Sequence, residues 1–324
     1  TARQSNRFAR YDEVFEQLVA QGHIYACYET PDELDRKRKR QLARGKPPVY
    51  DRAALALTPD DKAALEAEGR AAHWRFKLSG EQVVWHDLVR GEQAIDTASV
   101  SDPVVRRADG TWLYTLPSVV DDLDMNISHV IRGEDHVTNT AAQVELIAAL
   151  GGTQPVFAHF SLMLGADGSN LSKRLGSLSL KELREAGLEP ISLNAHIARL
   201  GTADPIVPAQ NMGEVIDGFD IDRLGRAPAR FDAEDVKRLN ARILHEMPYD
   251  TVADRLQEIG APAQAAFWEA MRGNIDTFAD MKSILTLIHG PVTPVIAPED
   301  ADYIAEAQAA LPDAPFDLES WSVW

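Results

Sequence analysis

The sequence predicts an α/β protein, with a parallel-sheet unit mid-chain, a small α+β unit before it and a nearly all-helical region after it. Three observations carry this. ISHVIRG (127–133), a helical AAQVELIAALGG and PVFAHFSLML (155–164) give strand, helix and strand at the spacing of a βαβ crossover. Upstream, short β-rich runs alternate with helices that carry clear start signals. From Ser179 onward, apolar residues recur at helical spacing with few strand signals.

Phe8, Tyr11, Phe15 and Leu18 fall at helical spacing, and Gly22 is a C-terminal stop. IYACY (24–28) reads as a strand. Thr30-Pro31-Asp32-Glu33 then opens a helix: Thr caps, Pro suits the first helical position, and Glu33 closes a capping box. That helix should stop near Gly45. Thr58-Pro59-Asp60-Asp61 starts a second helix in the same way, and HWRFKL (73–78) and QVVWHDLV (82–89) are strand-like. PVVRRADGTWLYTL (103–116) reads as a hairpin turning at Asp109-Gly110, with Tyr114 on its second strand. The helix after EDHVTNT has Thr138, Asn139 or Thr140 available as its cap. LKELREAG, ISLNAHIARLG, FDAEDVKRLNARIL and Ala-rich segments fill the helical end. No internal repeat or long linker interrupts the chain.

Apolar content of 45% and charged content of 26% are ordinary for a globular protein, and 324 residues suffice for two or three cores. No stretch approaches the roughly 20 apolar residues that span a bilayer, and no signal peptide is visible. Cys27 stands alone, which excludes an internal disulfide and a thiolate zinc cluster and fits a reducing, cytoplasmic setting. The net charge of -17 argues against a nucleic-acid partner until its distribution is read. RKRKRQLARGK (36–46) holds seven cations and no carboxylate, whereas seven carboxylates and no Lys or Arg follow Lys282. Such segregation suits a polyanionic partner locally. The chain opens on Thr1 and closes on Trp324 inside a hydrophobic phrase, which reads as a piece of a longer protein.

Ligands of open parallel sheets bind beyond the carboxyl ends of the strands, and Arg132 follows HVI at such an end. A guanidinium there can fork a carboxylate or phosphate. It can equally pair with Glu134 or Asp135 to pin the turn, and the sequence leaves the two readings level. Tyr114 could orient the same ligand or pack in the core. His129 and His136 lack the spacing of a metal pair. Neither G-x-x-x-x-G-K-[ST], G-x-G-x-x-G nor G-x-S-x-G occurs, so a phosphate site must use side-chain cations. DGSNLSKRLGSLSL (167–180) offers Lys173 and Arg174 on a glycine-containing loop. Such a lysine can meet charge that develops in a transition state, or simply face solvent.

Together these segments resemble the glutamyl-tRNA synthetases, a class I aminoacyl-tRNA synthetase family. HVIRGEDHVTNTAAQVELIAALG is similar to the stretch after the family's glutamate-pocket strand. NLSKR (170–174) is similar to the KMSKS signature loop. Tyr114, Val119 to Asp122, Arg132 and the lysine loop occur in the family's order, and the likeness runs from about Arg3 to about Leu244.

The resemblance implies a Rossmann-like class I catalytic fold, second half present, with an α+β acceptor-binding insertion and a C-terminal helical domain. It implies the end of the first catalytic half at 1–22, the insertion at 23–108, and the second half at 109–166. The signature loop and stem-contact region fall at 167–245, and a partial anticodon-binding domain at 246–324. The implied reaction joins the glutamate α-carboxylate to the α-phosphorus of ATP, releases pyrophosphate with Mg²⁺, and passes the glutamyl group to the 3′ end of tRNA(Glu). tRNA(Gln) is an alternative acceptor, and no membrane partner is implied. Tyr114 and Arg132 would hold glutamate. Asp135, His136, Ser172, Lys173 and Arg174 would contact ATP, with Lys173 the catalytic cation. Arg36, Lys37, Arg38, Lys39 and Arg40 would meet tRNA phosphates.

Departures are as informative. The HIGH signature would precede this segment and is absent, so these residues alone are expected to be inert. Asn170 replaces the loop's usual first lysine, and Ser118 stands where many relatives have a longer polar side chain. Some relatives carry zinc in the insertion; one cysteine gives no expectation of it here. The competing readings are a paralogue that glutamylates a modified base of tRNA(Asp), a non-catalytic RNA-binding relative, and a small-molecule ligase without RNA.

Overall fold

The computed structural model describes residues 2–169, 179–291 and 294–314, together with 320 and 322. Helix α1 (Phe8–Ala20) buries Tyr11, Val14, Phe15 and Leu18 along one stripe while Phe8 stays half exposed. Gly22 ends it at φ +76°, a conformation that disfavours any side chain. Strand β1 (Ile24–Cys27) is buried throughout. Helices α2 (Pro31–Ala43) and α3 (Pro59–Ala67) both begin with complete capping boxes, Thr30 with Glu33 and Thr58 with Asp61. These ends are set locally, which is why the sequence predicts them well.

Strands β2 (His73–Phe76), β3 (Gln82–Asp87), β4 (Gly91–Asp96) and β5 (Val104–Arg106) follow. β1, β2 and β5 form an antiparallel three-stranded sheet. Helix α4 (Thr115–Asp124) corrects one expectation: Tyr114 is its N-cap rather than a strand residue. The hairpin closes early, through the Arg106–Trp112 bridge. Beyond it Leu116, Val119 and Val120 face the core at helical spacing, and Pro117 lies in the first turn, where its missing N–H costs nothing.

Strand β6 (His129–Gly133), helix α5 (Val137–Ala149) and strand β7 (Val156–Phe160) form the βαβ unit, with β6 and β7 parallel and Arg132 in register with His159. A 3-10 turn, Glu134–His136, runs directly into α5, so Thr138, Asn139 and Thr140 lie inside the helix and none of them caps it. The sheet order is β4-β3-β7-β6, and β3 joins β7 in parallel at Asp87 and Phe157. The segment 23–108 therefore supplies strands to two sheets. The principal core lies where α1, α4 and α5 pack on β1 and β2, around Tyr11, Phe15, Phe76, Leu116 and Leu146.

Strand β8 (Met163–Gly165) precedes helices α6 (Leu180–Glu185), α7 (Pro190–Arg199) and α8 (Met212–Asp217). Strand β9 (Ala229–Phe231) pairs with β8 in parallel, a short exception to the helical reading of this half. Helices α9 (Ala233–Glu246), α10 (Tyr249–Glu258), α11 (Ala265–Met271), α12 (Met281–His289) and α13 (Ala301–Ala309) complete the described chain. A second core is built on Trp268, Leu256, Ile243 and Met281. Among the described residues no helix is long and apolar enough to cross a membrane.

Candidate active site

Arg132 leaves the carboxyl end of β6 half-buried, and its guanidinium is held on three sides. Nε donates to His159 Nε2 at 3.1 Å, and Nη2 donates to Thr140 Oγ1 at 2.8 Å and to Gln143 Oε1 at 2.6 Å. Nη1 donates to the Tyr114 hydroxyl at 2.9 Å. Four of the five N–H groups of an arginine are thus used, and each partner is neutral. No carboxylate lies within ion-pair distance of Arg132 among the described residues. The turn-pinning reading is corrected here: Glu134 pairs with Arg90 at 2.6 Å and accepts from the Leu162 amide, while Asp135 is exposed. What remains is a fixed positive charge with one donor unpaired among the described residues, at the strand end where a ligand anion would arrive.

The supporting residues come from three elements. Thr140 and Gln143 lie three apart on α5, so they share a face. Gln143 Nε2 donates to Ser118 Oγ at 2.9 Å, which turns its carbonyl oxygen toward Arg132 and gives the short Ser118 side chain a defined use. His159 is fully buried, and its Nδ1 lies 2.5 Å from Asp87 Oδ2. Burial drives the His159 pKa down, against the pull of Asp87, and the neighbouring Arg132 lowers it further. Burial raises the Asp87 pKa, but the His159 side chain and the amides of Arg90, His159 and Val89 outweigh it and leave the carboxyl below its usual range. The sequence reading missed Asp87, Thr140, Gln143 and His159 as site residues. A buried His and a buried Asp inside apolar strand runs (PVFAHF, QVVWHDLV) were the available signal.

Asp135 and His136 occupy the rim. The His136 ring meets Tyr114 edge-on at 5.3 Å, and its Nδ1 lies 3.3 Å from Asn139 Nδ2. A Cβ at Gly133 would lie 2.6 Å from Asp135 Oδ1 and 3.2 Å from Leu162 Cδ2, so both side chains would have to shift to admit one. Beyond the strand ends a cavity of about 540 Å³ is lined by Gly133, Leu162, Met163, Ile197, Met212 and Phe219, among others. Ser172, Lys173 and Arg174 lie outside the described residues.

The basic helix α2 divides into pinned and open cations. Lys37 reaches Asp51 and Glu29 at 3.0 and 3.4 Å, Lys39 pairs with Asp35 at 2.7 Å, and Arg36 donates to the Asp32 carbonyl at 3.2 Å. Arg38, Arg40 and Arg44 are exposed, with no carboxylate in ion-pair distance among the described residues.

Cys27, Glu29 and His73 bring potential metal ligands within 4.8 Å of one another. Sequence spacing could not show this set, because β2 delivers His73 beside β1. Burial pushes the Cys27 thiol up to about 11, so it is protonated at neutral pH. Lys37 lies on Glu29, and the Arg75 guanidinium stacks over Tyr50 at 4.1 Å beside the cluster. Zinc prefers four ligands and a thiolate. Three donors fall one short of that number and Lys37 and Arg75 stand beside them, although Glu29 Oε2 and His73 Nε2 have no partner among the described residues.

Arg132 thus stands at the end of the parallel strands β6 and β7 of a mixed sheet, with an α+β unit before it and helices after it. The chain belongs to the class I tRNA synthetases (E and Q): the model of their catalytic domain matches residues 1–238. Among individual proteins, it is 54% identical to glutamate–tRNA ligase 1 of Maricaulis maris, across 100% of this chain and 73% of that protein. It is also 54% identical to glutamate–tRNA ligase 2 of Methylorubrum populi, across 99% of this chain and 72% of that one. A crystal structure of a glutamate tRNA ligase from Elizabethkingia meningosepticum, in complex with its amino acid, superposes with a TM-score of 0.79 at 26% identity, covering 99% of this chain and 73% of that one.

Proposed function

We infer that this protein is a glutamate–tRNA ligase, which activates glutamate with ATP and transfers it to tRNA. Identity of 54% over the whole chain to a protein of that activity supports this reading over the paralogue and non-catalytic alternatives. The one structural observation that carries it is Arg132, a positive charge held by neutral partners with a donor left over. In this reading Arg132 forks a carboxylate of glutamate, and the Tyr114 hydroxyl, already bonded to Arg132, fixes the side of approach.

Asp135 and His136 on the rim face the nucleotide or the tRNA end. Lys173 and Arg174 would stabilise the phosphates during adenylation, with Mg²⁺ neutralising the departing pyrophosphate. The open cations of α2 meet acceptor-end phosphates within the 23–108 insertion, and 167–245 and 246–324 extend toward the stem and anticodon. Zinc has no part in this reading.

Charging of separated tRNA(Glu) and tRNA(Gln) by the complete protein tests it. Glutamylation of tRNA(Glu) is the expected outcome, and the tRNA(Gln) arm reports discrimination. Failure to charge either, with glutamylation of tRNA(Asp) instead, would favour the paralogue.

A further inference from the structure

We propose that His159 and Asp87 are positioning residues for glutamate recognition: they aim the guanidinium of Arg132 from behind and hold its free N–H toward the substrate. The proposal rests on the reading of Arg132 as the glutamate ligand. It adds two residues that touch no substrate and a reason for the β3–β4 hairpin to join this sheet.

The geometry leaves one tautomer for His159. The register of β6 and β7 sets Arg132 opposite His159, so the two side chains stand on the same face. Asp87 is fully buried at the end of β3. Its Oδ1 accepts from the backbone amides of Val89, Arg90 and His159 at 3.1, 3.0 and 3.1 Å. A carboxylate so engaged is an acceptor only, so its Oδ2 accepts a hydrogen bond from His159 Nδ1–H. The opposite nitrogen, Nε2, then carries a lone pair, which receives Arg132 Nε–H at 3.1 Å. The Thr140 hydroxyl is 3.0 Å from the same nitrogen, and its hydrogen has the His136 carbonyl at 3.2 Å as an alternative. Either choice leaves Nε2 an acceptor. A proton on Nε2 would instead confront Arg132 Nε–H.

A network built only for folding would close on itself. This one runs from a buried carboxylate through a neutral imidazole to a cation, and it stops there with one donor unused. Asp87 also reads out the position of the hairpin turn through two of its amide contacts. The aim of Arg132 is therefore tied to β3 as well as to β6 and α5. Displacement of a substrate-holding fork by about 1 Å is enough to cost on the order of 10²-fold in rate.

Substitutions in the complete protein test this, using glutamate-dependent ATP–pyrophosphate exchange with tRNA(Glu) present. His159→Asn keeps a donor for Asp87 but removes the acceptor for Arg132. His159→Gln places an amide oxygen near the position of Nε2. We expect H159N to raise the glutamate KM by about 10-fold or more, with the ATP KM within about twofold of wild type and the melting temperatures of the two variants alike. H159Q should recover most of the loss. Asp87→Asn, which can donate to Nδ1 and so reverse the tautomer, should raise the glutamate KM in the same selective way, and it serves if H159N does not fold.

Arg132→Ala separates the failures. An unchanged glutamate KM in R132A would remove Arg132 from the pocket and the proposal with it. A raised KM in R132A, with wild-type glutamate KM in H159N and D87N, would overturn only the positioning role. So would a parallel rise in the ATP KM, or an H159Q variant no better than H159N, because either marks a general packing defect.

Discussion

Two buried arginine networks in this chain have opposite designs. Around Asp102, whose side chain is fully buried, Arg52 donates to one carboxylate oxygen at 2.7 Å, Tyr25 to the other at 2.6 Å, and the Leu78 amide to the first at 3.0 Å. Arg75 reaches the Asp102 carbonyl at 2.6 Å. Charge meets charge, and the donors converge on one residue that ties β1, β2 and the 97–106 segment together. Around Arg132 the partners are a hydroxyl, a phenol, an amide and an imidazole, and the cation has no counter-charge in ion-pair distance among the described residues. Around Asp102 both carboxylate oxygens and the carbonyl are taken by protein donors, whereas Arg132 keeps one N–H that no described residue accepts. In the proposed reading the first arrangement ties strands together and the second leaves Arg132 a donor for glutamate.

Asp102→Ala leaves Arg52 and the Tyr25 hydroxyl without their buried partner, and it should destabilise the fold by about 3–5 kcal/mol, measured by urea unfolding. A loss well under 1 kcal/mol, the range of a surface pair, would show that the network is hydrated and the contrast overstated. Arg132→Lys probes the other network. Lysine keeps the charge but not the fork, so the Thr140, Gln143 and His159 acceptors cannot all be met at once. Glutamate kcat/KM should fall roughly 10²-fold while unfolding free energy changes by less than in the Asp102 variant. A variant with near-wild-type activity would mean that charge alone suffices.

A smaller effect divides the basic helix. Replacing Arg38, Arg40 and Arg44 with Gln should flatten the dependence of log K for tRNA on log salt, by up to about 0.9 for each duplex phosphate contact removed. Replacing the ion-paired Lys39 should leave that slope almost unchanged. Equal slopes in both variants would place the whole helix in solvent.

The smallest effect concerns buried histidines. His196 is nearly inaccessible, neither ring nitrogen has a partner among the described residues, and burial lowers its pKa against the pull of Asp235 and Asp232. His159 and His73 are lowered by burial too. Below about pH 6.5 the unfolded chain takes up protons that the folded chain refuses, so stability falls as pH drops through that range. His196→Leu should make the decline between neutral and mildly acidic pH shallower, as read by melting temperature. An identical pH profile would mean that His196 takes up its proton over the same pH range in the folded and unfolded chain.

Much of this architecture was legible in the sequence because its signals are local. The capping boxes at Thr30 and Thr58 and the crossover around α5 need only neighbouring residues, and the structure has them. Arg132 was legible as a candidate because a strand, an arginine and a glycine occur in that order. Its environment was not. His159 and Asp87 reach it through pairing between strands far apart in sequence, which no single-sequence period encodes. TWLYTL continues a β-rich run, so the sequence alone puts Tyr114 on a strand. The apolar stripe of Leu116, Val119 and Val120 decides for helix once a core is there to receive it. The Cys27, Glu29 and His73 cluster escaped for the same reason as His159, since its members meet only across a register.

The most direct measurement is a crystal structure of the complete protein with glutamate bound. A substrate carboxylate is expected within hydrogen-bond distance of Arg132 Nη1, beside the Tyr114 hydroxyl, with the bonds from Arg132 to His159, Thr140 and Gln143 intact. Glutamate seated elsewhere, with Arg132 turned away to a protein carboxylate, would contradict it.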